Sequence, residues 1–336
     1  MTPLVEARNL SKHYTLGRGW LSSLIGIGAE TLRAVDDIDL TLRPGEILAL
    51  VGESGSGKTT TGKLITRQEQ PSGGSLRFDG GDIAGLSGTA LKAYRRRVQM
   101  IFQNPFESLD PRHRVINTVA EPLAIHGIGN AQERRERAEA ALAHVELPPA
   151  RFAERYPADL SGGQLQRVSI ARALVLEPKL IVADEPVSML DVSVRSGVMN
   201  LMLALRDRTE VAYLYITHDL AVARYMSSRT AVMYLGAIVE EGPTEDLIAR
   251  GGHPYTRLLV AAVPEHRPGT RRKRIRLAGD AASVQSLPSG CRFHPRCPLA
   301  TDLCKTTAPS KVSLGGDRWA ACHYATDVVA RESLMP

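Results

Sequence analysis

Residues 52–60 have the types and spacing of a phosphate-binding loop (P-loop). Glycines let such a backbone wrap closely around phosphates, and Lys58 adds a full positive charge. The hydroxyl of Thr59 is expected to bind Mg²⁺. The loop follows an apolar run and precedes the helical stretch 60–66, which is the context that this motif requires. We therefore expect a nucleotide to bind at Gly52, Glu53, Ser54, Gly55, Ser56, Gly57, Lys58, Thr59 and Thr60.

Four more polar residues follow apolar runs and could complete a phosphate-cleaving site. Asp184 and Glu185 end one run, Gln103 follows a second and His218 follows a third. Adjacent carboxylates at the end of a strand fit a metal-organising aspartate beside an acid that polarises water. Such a pair is often only a strand end that meets solvent, so its meaning depends on the other motifs.

These residues must be positioned by the apolar runs that precede them. The runs are continuous rather than alternating, which predicts strands covered on both faces, as in a parallel α/β sheet. Between the second and third runs, residues 104–176 read as mostly helical, with helices over 131–145 and 163–176. The predicted strands are residues 47–51, 98–102, 180–183, 212–216 and 231–234.

Residues 160–164 read Leu-Ser-Gly-Gly-Gln and stand before the acidic pair. Ser161 and the amides that follow it open a helix, so they present a second anion-binding terminus. The chain has one P-loop, and this terminus is redundant unless it serves the nucleotide of another subunit. The ordered set of motifs resembles the ATP-binding cassette (ABC) transporter ATPases over residues 4–250.

The resemblance implies a fold and a set of roles. The implied fold is α/β, a P-loop NTPase with a RecA-like core, an antiparallel β subdomain and a helical signature subdomain. Two subunits would sandwich two ATP molecules, and hydrolysis would reopen the dimer. The implied roles are adenine stacking for Tyr14; catalysis for Glu185 as general base, His218, Gln103 and Lys58; Mg²⁺ binding for Thr59, Gln103 and Asp184; and nucleotide binding in trans for Ser161, Gly162, Gly163, Gln164 and Asp191.

Further segments resemble the dipeptide and oligopeptide importer ATPases. They are residues 102–111, 155–163, 253–259, 290–298 and 321–323. The resemblance implies a second ATPase subunit that is a paralogue, two membrane permease subunits and an extracytoplasmic substrate-binding protein. No segment is apolar enough to span a membrane and the N-terminus is not a secretory signal, so we expect a peripheral subunit on the cytoplasmic face of the inner membrane.

Two other functions stay open at this point. The same kind of ATPase could serve uptake of nickel or oligosaccharides, because substrate choice resides in other subunits. A soluble ABC protein acting on nucleic acid or the ribosome is the rival class. The single P-loop and the lack of a long coiled-coil insert count against it.

Four cysteines, Cys291, Cys297, Cys304 and Cys322, cluster near the C-terminus. In a cytosolic chain, clustered thiols indicate metal binding rather than disulfides. The spacing leaves an iron–sulfur cluster, zinc and unligated thiols open, with His294 and His323 close by as further zinc ligands. The peptide-importer resemblance favours a [4Fe–4S] cluster in a structural role.

Composition and charge narrow the class of protein. With 336 residues, 43% of them hydrophobic, the chain can bury a large core and is neither disordered nor fibrous. The net charge of +6 equals the six basic residues of segment 266–277, which contains no acid and reads as a solvated linker. We therefore expect no nucleic-acid partner. The predicted domains are an ATPase domain over 1–250, a helix and basic linker over 251–290 and a Cys-rich module over 291–336.

Overall fold

The structure, a computed structural model, describes residues 2–16, 30–262 and 287–331. The basic run at 266–277 lies outside these described residues. The strands are β1 Val5–Leu16, β2 Glu30–Leu42, β3 Ile47–Val51, β4 Gly73–Phe78, β5 Gly81–Asp82, β6 Val98–Ile101, β7 Leu180–Asp184, β8 Ala212–Thr217, β9 Arg229–Tyr234, β10 Ala237–Pro243, β11 Lys311–Ser313 and β12 Trp319–Ala321.

Helices connect most of these strands. The α-helices are α1 Lys58–Ile65, α2 Gly88–Arg97, α3 Pro105–Ser108, α4 Val115–His126, α5 Ala131–His144, α6 Pro149–Phe152, α7 Gly162–Leu174, α8 Val192–Thr209, α9 Leu220–Met226, α10 Thr244–Arg250, α11 Pro254–Ala262, α12 Asp302–Thr306 and α13 Ala325–Ala330, with 3₁₀ turns at Pro157–Asp159 and His294–Arg296. Among the described residues, no helix has both the length and the apolar character to cross a membrane.

The central sheet has the strand order β11-β12-β10-β9-β3-β8-β7-β6. Its strands β9, β3, β8, β7 and β6 run parallel to one another. Each of the five apolar runs singled out in the sequence forms one of these strands, and β3, β7, β8 and β9 are buried along their whole length. The predicted parallel α/β core is therefore confirmed.

A second, antiparallel sheet has the order β2-β1-β4-β5. Its apolar face shares a core cluster with one face of the central sheet, including Val5 and Leu40 from the antiparallel strands and Leu48 and Leu214 from the parallel ones. This sheet is the antiparallel subdomain that the family resemblance implies.

Helices α3 to α7 fill the chain between β6 and β7. Asn130 caps helix α5: its side chain accepts the amide hydrogen of Glu133, while the Glu133 side chain accepts that of Asn130. Such a capping box satisfies amide groups that the first turn leaves without partners. Buried leucines and valines of α4, α5 and α7 join one core cluster with the other face of the central sheet, so these helices pack against the sheet as a unit.

The C-terminal region, residues 251–262 and 287–331, packs on the edge of the central sheet. Strand β12 pairs with β10 in antiparallel register, with Glu240 opposite Ala320. Tyr234, Tyr255 and Phe293 form the centre of a separate core cluster beneath this region. The Cys-rich segment thus adds two strands to the ATPase sheet. The domain boundaries given by the sequence stay predictions.

Candidate functional site

The P-loop connects β3 to α1. The Lys58 ammonium group donates hydrogen bonds to the carbonyl oxygens of Gly52 and Glu53, both at 2.8 Å. Gly57 has φ 107°, and a Cβ there would lie 2.3 Å from the carbonyl oxygen of Ala34, so only glycine fits. Burial lowers the pKa of Lys58, an effect that nearby carboxylates oppose. The loop therefore closes around its own lysine.

Asp184 lies at the carboxyl end of β7, behind the P-loop. The Thr59 hydroxyl donates to Asp184 Oδ1 at 3.2 Å. Burial raises the pKa of Asp184, and the neighbouring Glu185 charge raises it further. A hydroxyl and a carboxylate side by side are the hard oxygen ligands that Mg²⁺ prefers, so this pair fits the predicted metal site.

Glu185 is the point where three predicted catalytic residues meet. Gln103 Nε2 donates to Glu185 Oε2 at 3.1 Å, and His218 Nδ1 lies 3.1 Å from Oε1. Glu185 has φ 46°, in the left-handed region, and its amide donates to the carbonyl oxygen of Ile216 at 2.9 Å. Ends of β6, β7 and β8 thus bring together side chains that are far apart in sequence.

These elements surround one open pocket of about 740 Å³, a size that suits a nucleotide. Gly52, Ser56 and Asp184 lie buried outside its lining. The pocket is lined by the predicted residues Tyr14, Glu53, Ser54, Gly55, Gly57, Lys58, Thr59, Thr60, Gln103, Glu185 and His218, and by the unpredicted residues Leu32, Ala34 and Leu259.

The signature residues lie elsewhere. Ser161 caps α7, where its hydroxyl accepts the amide hydrogen of Gln164 and its own amide donates to the Gln164 side chain at 3.0 Å. Gly163 packs so closely on α8 that a Cβ would lie 2.4 Å from Val194 Cγ1. Asp191 is the residue before α8 and is exposed. Ser161, Gly162, Gly163, Gln164 and Asp191 do not line the nucleotide pocket of this chain.

The four predicted cysteine ligands are brought together. Cys291, Cys297, Cys304 and Cys322 line one small cavity and are free thiols. Burial raises the pKa of Cys297 to about 12 and that of Cys322 to about 11, and neighbouring thiols add to both effects. The donor set therefore has the chemistry of an iron–sulfur or zinc site.

Among the described residues, the side chains around this cavity do not form a preassembled metal site. In the parts of the chain that the structure describes, no three His, Cys, Asp or Glu side chains converge closely enough to hold a metal ion. One ring nitrogen of His294 lies 3.0 Å from the Cys291 carbonyl oxygen, and one of His323 lies 2.9 Å from that of Thr307.

Sequence reasoning missed the C-terminal residues that reach the nucleotide pocket. Leu259 lines it from α11, and Tyr255 and Arg296 contact Glu53. Tyr255 and Leu259 lie in the importer-like segment 253–259 and Arg296 lies in the importer-like segment 290–298, but neither segment predicts a role at the nucleotide site. Long-range packing alone brings them to the site.

Comparison with known families gives two matches. The ABC transporter family matches residues 35–188, which include the P-loop, the signature and the acidic pair. The family described as the oligopeptide/dipeptide transporter C-terminal region matches residues 239–304, which include three of the four cysteines. The two matches thus lie in the ATPase part and in the C-terminal region, and His218 and Cys322 fall outside the matched ranges.

Known proteins match over almost the whole chain. A Brucella ovis chain, provisionally named a peptide import ATP-binding protein, is 47% identical over 321 residues, 96% of this chain and 98% of that one. The di/tripeptide transport ATP-binding protein DppF of Pseudomonas aeruginosa is 41% identical over 97% of this chain and 98% of its own length.

A solved structure matches the ATPase part. The dimeric, post-hydrolysis ATP-binding cassette MJ0796 with ADP and Pi has a TM-score of 0.62 at 31% identity, over 71% of this chain and 98% of that one. The fold, the nucleotide pocket and the relatives all indicate the same family. This chain belongs to the ABC transporter family, as an ATP-hydrolysing, ATP-binding subunit that carries the oligopeptide/dipeptide transporter C-terminal region.

Proposed function

We propose that this subunit hydrolyses ATP to power the import of di- and oligopeptides through a membrane permease. The observation that carries the proposal is the convergence of Gln103 and His218 on the Glu185 carboxylate, in the lining of the P-loop pocket. The names of the relatives support peptides as the cargo.

Binding of the triphosphate falls to the P-loop and to Tyr14. Lys58 now donates to loop carbonyl oxygens and would exchange these for phosphate oxygens. The half-buried ring of Tyr14 lines the same pocket and offers a flat surface for adenine. Glu53, Ser54, Gly55, Gly57, Thr59 and Thr60 complete the lining on the phosphate side.

Glu185 is the proposed general base. Its carboxylate accepts the proton of the attacking water, and the Gln103 hydrogen bond holds one of its oxygens in place. His218 lies against the other oxygen, so it can orient both the carboxylate and the γ-phosphate. Thr59, Asp184 and Gln103 would hold Mg²⁺, which when bound neutralises charge on the phosphates.

A second ATPase subunit is needed to complete the site. Ser161, Gly162, Gly163, Gln164 and Asp191 lie outside this chain's pocket, where they can serve the nucleotide of a partner. The similar cassette MJ0796 is a dimer with ADP and Pi, which supports this arrangement. We propose a paralogous ATPase partner, two permease subunits, an extracytoplasmic binding protein and a peripheral position on the cytoplasmic face of the inner membrane.

The base assignment is tested by Glu185→Gln. This variant keeps the size of the side chain but cannot accept the proton, so ATP binding should persist while kcat falls by about 10²-fold or more. Equilibrium binding and steady-state hydrolysis are measured on the same preparation. Hydrolysis at the wild-type rate would overturn the assignment.

The cargo is tested with the transporter complex reconstituted in vesicles. Uptake of labelled di- and oligopeptides should stimulate ATP hydrolysis, and the Glu185→Gln complex serves as the control without turnover. Uptake of nickel or an oligosaccharide without peptide uptake would overturn the peptide assignment and keep the ATPase.

We further propose that Cys291, Cys297, Cys304 and Cys322 hold a [4Fe–4S] cluster. The four thiols line one cavity but do not converge on one point in the described structure, so they would have to move together around a cluster. The cluster would crosslink a short segment that has few large apolar residues. Iron and acid-labile sulfide are measured after anaerobic purification. Zinc without iron would replace the cluster by a zinc site, and absence of both metals would leave structural thiols.

A further inference from the structure

Within the described residues, every hydrogen bond between the C-terminal region and the P-loop involves Glu53. The Tyr255 hydroxyl accepts the backbone amide hydrogen of Glu53 at 2.9 Å. Arg296 Nη1 donates to Glu53 Oε2 at 2.8 Å and Nη2 donates to Oε1 at 3.1 Å. This fork-to-fork ion pair fixes the direction of the carboxylate as well as its position.

Arg296 is itself firmly held. Its side chain is 7% exposed, and Nη1 also lies 3.3 Å from the Tyr234 hydroxyl. It belongs to the 3₁₀ turn that follows Phe293, whose ring packs 5.3 Å from Tyr234 and 5.5 Å from Tyr255 between centroids. Packing thus holds the guanidinium group in position without a bound nucleotide.

Glu53 connects this contact to the phosphate-binding atoms. Its carbonyl oxygen accepts from Lys58 Nζ at 2.8 Å and from the Ser56 amide at 3.2 Å. Its amide, carbonyl and carboxylate groups are therefore all engaged, and a displacement of Glu53 would move both the lysine and the loop amides. Holding a loop in its binding shape lowers the entropy that is lost when a ligand binds.

We propose that Arg296 is a positioning residue for nucleotide binding, which acts from the Cys-rich segment by holding Glu53 and with it the P-loop. This inference rests on the proposed ATP site. It makes the C-terminal region part of that site, to which Leu259 of α11 also contributes by lining the pocket.

The test measures the Kd of a fluorescent ATP derivative with Mg²⁺ for the full-length subunit. Arg296→Gln and Glu53→Gln should each raise Kd about fivefold to tenfold. The double variant should have a Kd no higher than that of the weaker-binding single variant, because both changes remove the same contact. Arg296→Lys should recover part of the affinity, since lysine keeps the charge but loses the fork.

The matched control is Arg43→Gln, which removes another ion pair between the ATPase part and the C-terminal region. Arg43 Nη2 lies 2.8 Å from Asp317 Oδ2, and neither residue lines the nucleotide pocket. Its Kd should stay within about twofold of the wild type, because exposed pairs contribute little.

A wild-type Kd for Arg296→Gln, or additive effects in the double variant, would overturn the inference. If Arg296→Gln does not fold, Glu53→Gln decides, because its side chain is 37% exposed and tolerates change. Lys58→Ala separates the two proposals. Wild-type binding in Lys58→Ala would reject the ATP site itself, whereas lost binding there with unchanged binding in Glu53→Gln would reject only the role of Arg296.

Discussion

The edge of the central sheet that carries the proposed catalytic residues Gln103, Glu185 and His218 (the catalytic edge) and the C-terminal region differ in the contacts that stabilise each of them. At the catalytic edge, Gln103, Glu185 and His218 meet through two contacts of 3.1 Å at the ends of parallel strands. In the C-terminal region, buried aromatic rings and buried ion pairs provide the cohesion. At the catalytic edge the side chains remain free to contact a substrate, whereas in the C-terminal region the buried contacts hold the side chains in place.

The exposed fractions of the side chains show this difference between the two regions. The His218 side chain is 58% exposed, whereas the Arg318 and Glu240 side chains are 3% and 0% exposed. A change at an exposed catalytic residue removes chemistry but little packing energy. A change at a buried ion pair removes stability first, because a charge is left without a partner.

The largest effect is expected at the catalytic edge. His218→Ala removes the ring that lies against the Glu185 carboxylate, so kcat of the transporter complex should fall by about 10²-fold. The melting temperature should stay unchanged, because the side chain is mostly exposed. A large loss of melting temperature together with normal kcat would reverse the comparison.

The next effect concerns stability in the C-terminal region. Arg318→Met leaves the Glu240 carboxylate buried without its cation, 3.4 Å away in the wild type, and should cost about 3 kcal/mol of unfolding free energy. Denaturant unfolding measures the loss.

The matched variant adds Glu240→Gln to Arg318→Met. Glu240 accepts the Gly252 amide hydrogen through Oε1 and the His253 amide hydrogen through Oε2. A glutamine can keep only one of these bonds but removes the buried charge, whose cost is larger, so the double variant should regain part of the stability. A double variant that is weaker than Arg318→Met would contradict the uncompensated charge as the cause.

The smallest effect is a pH dependence. Complete burial lowers the pKa of His253 from 6.5 to about 3, and its Nδ1 accepts the Tyr255 amide hydrogen at 3.1 Å. Between these pH values the unfolded chain binds a proton that the folded chain does not. Stability is therefore full above pH 6.5 and falls by about 1.4 kcal/mol per unit as the pH drops below it.

His253→Asn isolates this contribution, because an amide oxygen can accept the same hydrogen bond without titrating. The variant should show a flatter loss of stability between pH 6.5 and pH 5 than the wild type, as measured by urea unfolding. Parallel slopes for the two proteins would show that His253 is protonated without penalty in the fold.

The fold was predictable where chemistry and burial impose a pattern. The continuous apolar runs that became β3, β7, β8 and β9 could be recognised because both faces of these strands are covered. The pairing of β12 with β10 could not be predicted, since both strands are short or polar in part and their register depends on contacts distant in sequence.

The candidate site was likewise predictable only where a sequence motif marks its residues. Lys58, Asp184 and Glu185 follow strands at fixed spacing, and each role requires one residue type. The Arg296–Glu53 ion pair joins residues 243 positions apart, and an arginine in a basic sequence has no local mark of such a role. Contacts of this kind depend on tertiary packing alone.

The pairing of β12 with β10 also governs how the chain can be shortened. A chain that stops before residue 287 would leave β10 as an open edge, with unpaired backbone groups that can recruit a strand from another molecule. Glu240 and Glu241 on that strand would lose the cover that now buries them. Separating the ATPase part from its C-terminal region would therefore favour self-association over a well-behaved smaller subunit.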